Sequence, residues 1–469
     1  MSKIEVVAPV LEELVTVEGS SLDTPVHNIK FNNISFQHAT WLRPNGNIGI
    51  SDAQNNVLRE EYDPSNPEYT TDYKWKDIMP GGNIKLVTAK NILFDRCEFT
   101  RLGNTALFMK TGSQDNLVRG CQFYDISGNA IQVGETDMYD ANNFMPEDER
   151  YILKNNDIIN NYIDNIGVEY RSSSAIGASY VQDMDIRYNE IGNVPYCGIH
   201  IGWGWVRILR LGVPYSGNNR IEYNYIHDVM TELMDGGAIY TLGPQNSATK
   251  PSTIANNYIY KQKHLYGALY FDEGSNFYNI ENNVINDVIN WLLIKDVRNT
   301  VTNTYTNQSV YRSNPAPGSS ERCQPQNTVN VKGEDWPQEA LTIIENAGLE
   351  SEYQDIKPGE PKPEEPKSFT VNGTIDKTKG IVATVSITPT VDVEDHAGNE
   401  AVVFQLMKGT TPVSIMALEK DITSEESLKA YFSVEDPDNA EYRVEVFVFD
   451  KFNSDDSMME SLSDKLELK

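Results

Sequence analysis

The sequence predicts an all-β chain: a parallel β-helix followed by a C-terminal immunoglobulin-like β-sandwich. Three observations predict it. A phrase of short strand, asparagine and apolar residue returns along the first two-thirds of the chain. A second short apolar strand follows each copy. Past a proline-rich stretch the texture changes to longer alternating strands.

The phrase reads NILFDRCEF at 91–99, NLVRGCQF at 116–123, IINNYI at 158–163 and DIRYNEI at 185–191. It returns as RIEYNYI at 220–226, TIANNYI at 253–259 and NIENNVI at 279–285. Aligned on Cys97, Cys121, Asn161, Asn189, Asn224, Asn257 and Asn283, the copies recur at steps of about 24 to 40 residues. One supersecondary unit repeated with variable loops is the mark of a stacked solenoid. An asparagine at each inside corner tolerates left-handed backbone and bonds to the copies above and below.

The second strands are TALFM (105–109), NAIQV (129–133), SAIGA (174–178), GIHI (198–201), GAIYT (237–241), GALYF (267–271) and WLLIK (291–295). Period-two alternation turns Leu107, Ile131, Ile176, Ile199, Ile239, Leu269 and either Leu292 or Leu293 to one side, as a stacked core. The same alternation turns Phe108, Gln132, His200, Tyr240 and Tyr270 to the other side, as an outward stripe.

With 469 residues there is length for two domains. A net charge of −29 argues against nucleic acid and anionic membrane as partners. No apolar run reaches membrane-span length, and this chain carries no signal peptide. Cys97 and Cys121 share a ladder position one rung apart and read as reduced thiols filling corners that asparagine takes elsewhere. Cys197 and Cys323 have no CxxC partner, which argues against zinc.

Residues 1–312 are assigned to the β-helix. No amphipathic helix covers its first rung, so the chain reads as beginning inside a longer natural protein. A polar insertion at 42–82 is long enough to form a cleft wall. Shorter excursions follow at 135–150, 203–219 and 244–252. Residues 313–356 form a closing segment, with a short helix over 336–350 expected to cap the C-terminal end of the stack. Residues 357–367 read as a proline-rich, extended linker. Residues 368–469 carry about seven alternating strands, a β-sandwich serving as spacer, packing module or carbohydrate-binding module.

Chemistry is expected where the loops leave the later rungs. Stacking the copies gathers Glu135, Trp203, Asp272, Glu273, Lys295 and Asp296 near His200, Tyr240 and Tyr270. Aromatic faces pack on sugar C–H faces. One carboxylic acid protonates the glycosidic oxygen while a second carboxylate attacks carbon or activates water. Asp272 and Glu273, in YFDEGS, are the sharpest candidates. Asp235 precedes two glycines in LMDGGAIY, where backbone and ligand can approach closely; an ordinary Asp-Gly turn is the plain alternative. On a straight strand Asp235 and Asp272 would lie roughly 20 Å apart, and only a corner or bulge would bring them together. His200 is a candidate for binding a sugar hydroxyl or for acid/base work, while His227 and Asp228 read as a structural hydrogen bond.

FQHATWLRPN (36–45), DGGAIYTLG (235–243) and YFDEGS (270–275) resemble motifs of bacterial right-handed parallel β-helix glycoside hydrolases. The resemblance is to glycoside hydrolase family 141, which includes xylanases and an α-L-fucosidase acting on plant cell-wall glycans. It covers about residues 5–356 and implies two catalytic carboxylates in the C-terminal half. By motif these fall on Asp235 and Asp272, with Glu273 in reserve. The chain departs from the family in lacking a substantial N-terminal region.

The first expectation is therefore a secreted or cell-surface bacterial glycoside hydrolase acting on xylan or a fucosylated or pectic glycan. Catalytic roles fall to Asp235, Asp272 and Glu273, and substrate binding to His200, Trp203, Tyr240, Tyr270 and Asp296. The chemistry requires no metal or other cofactor, with room left for a structural calcium ion. A β-helix polysaccharide lyase is the second reading; it would need a cationic base, Lys110 or Lys295, and commonly calcium. A non-catalytic glycan-binding or adhesion module is the third.

Overall fold

The computed structural model describes residues 7–47, 49–50, 52, 54–61, 75–262, 264–296, 298–308, 311–313, 322–358, 367–390, 399–409, 411–451 and 461–469. Residues 62–74 of the insertion and 359–366 of the expected linker lie outside this set. The chain divides into two units, Met1–Lys357 and Pro358–Lys469.

Among the described residues of the first unit, three all-parallel sheets of ten, nine and ten strands run side by side. The chain visits them in turn: Gly82–Val87 in the first sheet, Ala89–Asp95 in the second, Glu98–Leu102 in the third, then Thr105–Met109 back in the first. Each coil pairs with the next, so the unit is a parallel β-helix. In the first sheet Leu107, Ile131, Ile176, Ile199, Ile239, Leu269 and Leu292 are in register and fully buried. The register resolves the ambiguity at the last rung in favour of Leu292. Phe94, Val118, Ile158, Ile186, Ile221, Ile254 and Ile280 form the matching row of the second sheet. Like residues stacked at about 4.8 Å fill the interior without gaps, because each rung repeats the shape of its neighbour.

The corner ladder is a chain of hydrogen bonds. The backbone N–H of Asn161 donates to Asn189 Oδ1 at 3.0 Å, Asn189 to Asn224 at 3.1 Å, Asn224 to Asn257 at 3.0 Å and Asn257 to Asn283 at 3.1 Å. Each Nδ2 donates in turn to a carbonyl of the preceding coil, as Asn224 does to Ile186. Cys121 joins the ladder by donating its N–H to Asn161 Oδ1, and Cys97 donates its own to Cys121 Sγ at 3.3 Å. One detail differs from expectation. The left-handed residue is the one before the ladder position: Arg96, Gly120, Asn160, Tyr188, Tyr223, Asn256 and Asn282 all have φ between 51° and 63°. Left-handed backbone at that residue makes the bend, and the asparagine supplies the bonds that hold it.

The segment after the last rung behaves differently from the expected end cap. Its helix spans Gln338–Asn346, and Trp336, Ala340 and Ile343 pack on Tyr258, Val284 and Tyr305, which face outward from the third sheet. The chain then continues back along the side of the solenoid. Gly348 N–H donates to Tyr223 O, Glu350 N–H to Asn160 Oδ1, and Leu349, Tyr353 and Ile356 pack by Tyr162. Arg96 meets Asp355 at 2.7 Å. It is a lateral strap, placed there because outward aromatics on successive coils offer it an apolar track.

The described residues of the second unit form two antiparallel sheets of three and four strands. Phe369, Ile381, Val385, Phe404, Val444 and Val446 form its core. The arrangement is that of a β-sandwich.

Candidate active site

The outward stripe of the first sheet carries, rung by rung, Phe108, Gln132, Gly177, His200, Tyr240, Tyr270 and Leu293. Most of it is covered. Phe108, Gln132, His200 and Tyr240 are at most 1% exposed and Tyr270 3%. The cover comes from the insertion, whose Asn55 Nδ2 donates to Gln132 Oε1 at 3.4 Å. Asn56 N–H donates to Ser172 Oγ at 2.9 Å. Gly177 leaves the room this needs, since a Cβ there would collide with both Gln132 and Asn55. Asp77 of the hairpin formed by Leu58–Glu61 and Trp75–Ile78 bonds Arg59 at 2.8 Å and lies 3.7 Å from Arg207. The insertion is thus tied to the 203–219 excursion as a wall over the early rungs.

At the later rungs the stripe ends in two carboxylates. Asp235 takes a left-handed φ of 63° in the turn that leads to the strand Ile239–Thr241, and Tyr196 Oη donates to its carbonyl at 2.7 Å. This pinned turn folds the side chain back over the sheet, where Tyr270 Oη donates to Asp235 Oδ1 at 3.2 Å. Asp272 follows Tyr270 by two residues and so faces the same way. Its Oδ2 accepts from Tyr240 Oη at 2.7 Å, and its Oδ1 pairs with Lys295 of the next coil. Both carboxylates raise the pKa of the Tyr270 phenol, after burial, by charge and by hydrogen bonding. The straight-strand separation of roughly 20 Å therefore does not apply, because Asp235 stands in a turn that brings it onto the same phenol as Asp272.

The environments of the two differ. Asp235 reaches solvent on one side and is half-enclosed on the other. Burial raises its pKa, Asp272's negative charge raises it further, and the Tyr270 hydrogen bond and Lys295 pull the other way. Asp272 is 6% exposed, accepts from the Tyr240 phenol, pairs with the Lys295 ammonium and lies beside the Tyr270 phenol. One carboxyl is pushed toward its protonated form beside another held among positive and hydrogen-bonding partners.

The other expected site residues lie elsewhere or are occluded. His200 does not present a face to solvent. It is fully buried, its pKa lowered to about 3 by burial despite Asp272's charge, and it packs edge-on to Tyr240 at 4.8 Å. Neither ring nitrogen has a well-aligned hydrogen bond; the Gly202 backbone is the polar group beside it. Trp203 is 2% exposed and stands 5.7 Å from His200. Both are enclosed, so neither presents a face that a glycan could contact directly. Asp296 is buried and both its oxygens are taken by Arg298. Glu273 is exposed, and its backbone carbonyl accepts from Gly243 N–H. His227 Nδ1 lies 3.2 Å from Asp228 Oδ2.

A continuous run of rings crosses the site. Trp205 meets Trp203 at 5.2 Å, Tyr240 meets Tyr270 at 4.9 Å, and Tyr270 meets Tyr266 at 5.6 Å. Its buried middle supports the carboxylates, and its half-exposed ends, Trp205 and Tyr266, are the accessible aromatic surfaces. Sequence reasoning passed over both ends, although Trp205 sits in the conspicuous GWGW phrase and Tyr266 shares the outward face with Tyr270. Among the described residues no group of three or more His, Cys, Asp or Glu is placed to hold a metal ion. No described helix is long and apolar enough to cross a membrane.

No family model matches the chain, and no curated protein matches it. A solved structure named "Glycoside hydrolase" is similar to it, with a TM-score of 0.55 and 28% identity over 74% of this chain and 54% of that one. The chain spans about half the length of that protein. Because the second unit is under a quarter of the chain, the likeness falls mainly on the β-helix.

Proposed function

We propose that this protein is a glycoside hydrolase acting on a plant cell-wall polysaccharide, xylan or a fucosylated or pectic glycan. The carrying observation is the Asp235–Tyr270–Asp272 cluster, in which one phenol borders two carboxylates of unlike environment. Glycosidic cleavage needs such a pair. Asp235, with its raised pKa and solvent-facing side, is the acid that protonates the leaving oxygen as the glycosidic bond breaks. Asp272 is the carboxylate that attacks the sugar carbon or takes a proton from the attacking water. Tyr240 and Lys295 fix its orientation, and Lys295, a quarter exposed, marks the edge nearest solvent. Trp205 and Tyr266 supply ring surface for neighbouring sugars. Glu273 remains the reserve carboxylate for the acid role, being exposed beside Asp272.

The structural likeness to a glycoside hydrolase supports this reading. A cell-wall substrate also implies a secreted or cell-surface location. The test is reducing-sugar release from a panel of plant polysaccharides by wild type, Asp235→Asn and Asp272→Asn. Products with unsaturated, ultraviolet-absorbing ends would instead identify a lyase.

A further inference from the structure

A concavity of about 400 Å³ lies on the corner between the third and first sheets, early in the solenoid. Trp41 and Tyr170 form its aromatic side, in edge contact at 4.9 Å. Asn45, Arg101, Asp125 and Glu169 supply its polar side. The three charged residues are exposed, whereas Trp41 and Tyr170 are anchored below them in a small apolar cluster with Leu58 of the insertion. Arg101 and Asp125 stand next to last in the third-sheet strands Glu98–Leu102 and Gln122–Ile126, with left-handed φ of 52° and 55° that interrupt the pairing there. The loop at 167–170 folds back over the preceding coil, Tyr170 N–H donating to Ser127 O at 2.9 Å, and so brings Glu169 and Tyr170 to the rim.

We infer that this pocket is a remote subsite for the same polysaccharide that the carboxylate pair cleaves; the inference rests on the proposed hydrolase reading. Ring surface beside amide, guanidinium and carboxylate groups is the chemistry that holds a pyranose, which has apolar C–H faces and a rim of hydroxyls. The volume falls at the low end of ligand pockets, about 300–1,000 Å³, and suits one or two sugar rings. Position names the occupant. Ser127 follows the strand Gln122–Ile126, and Asp235 follows Tyr225–His227, three strands further along the same sheet. The two places therefore lie on one edge of the solenoid, about 14 Å apart along its axis at ~4.8 Å per rung. A glycan running parallel to the axis covers that distance with a few sugar units, so a polymer engages both places and a short oligosaccharide only one. Joining two weak contacts through one chain raises the overall affinity without any new chemistry at the cleavage point.

The test uses Arg101→Ala and Glu169→Gln, singly and together, in the full chain. Both side chains are exposed, and neither belongs to the carboxylate cluster. Kinetics are compared on a polysaccharide and on its two- to three-unit fragments, with the unfolding temperature as control. The double variant is expected to raise KM on polymer by roughly five- to tenfold, with kcat and fragment kinetics unchanged. An unchanged polymer KM, or an equal loss on fragments, overturns the subsite. If wild type cleaves nothing, the hydrolase reading fails separately. Retardation of wild type and double variant in gels containing xylan or pectin then decides the pocket: equal mobility overturns it, and retardation lost in the variant supports it.

Discussion

Tyr270 donates its phenol to Asp235 across 3.2 Å, although Asp235 precedes its own strand by several residues. The bond exists because a left-handed turn carries the carboxyl over the sheet and an outward tyrosine on the next coil reaches it. Tyr270→Phe removes a bond that lowers the pKa of Asp235. The acid then holds its proton to higher pH, so the alkaline limb of the kcat/KM profile moves upward. The rate near neutrality falls by roughly 10- to 100-fold as the carboxyl loses its orientation. A pH–rate profile of wild type and variant checks both.

Lys295 is the charged partner of Asp272, which is almost wholly enclosed. Lys295→Met leaves the enclosed carboxylate without its cation, held by the Tyr240 hydrogen bond. The expected loss is about 2 kcal/mol of stability, given that removing one partner of a buried pair costs more than the pair contributes. Denaturant unfolding at pH 7 reads it, and sugar release falls in parallel.

His200 makes stability depend on pH in a definite direction. Its folded pKa, about 3, lies below the ordinary histidine value of 6.5, so the unfolded chain binds the extra proton between these values. Stability from this residue is present above pH 6.5 and is lost as pH falls toward 3, with a limiting slope of ~1.4 kcal/mol per pH unit. His200→Phe keeps a ring against Tyr240 and removes the proton site. Its unfolding free energy should fall less steeply over that window, measured by denaturant titration at several pH values.

Asn224 bonds to both its neighbours in the corner ladder. Asn224→Ala strands the Asn189 N–H and the Ile186 carbonyl in the interior. A loss of about 3 kcal/mol is expected, from one to three for each stranded group, with the three-sheet fold retained. Thermal unfolding and circular dichroism together distinguish weakening from collapse.

Much of the β-helix was legible in the sequence, because inward and outward positions alternate within each short strand and the corner residue repeats. The Leu269 register and the stack of Cys97 on Cys121 follow from that local pattern alone. Occlusion of the stripe does not: Asn55 of the distant insertion lies over Gln132, and Trp203 of the adjoining excursion packs by His200. Alternation says which way a side chain points, not what lies over it. The strap shows the same limit. A short helix is readable over 336–350, but its seat is not. The signal was present in outward Tyr162, Tyr258 and Tyr305, aromatic positions on separate coils that require a cover. The Asp235–Asp272 pairing depended on a side chain bridging two coils, which strand geometry alone places out of reach.

The most direct test is reducing-sugar release from a xylan and pectin panel by wild type, Asp235→Asn and Asp272→Asn, each first shown to be folded. Wild-type release that falls by at least roughly 1,000-fold in both variants is the expected result, since each removes a group from the bond-breaking step. Release at the wild-type rate by both folded variants would contradict the assignment of the carboxylate pair.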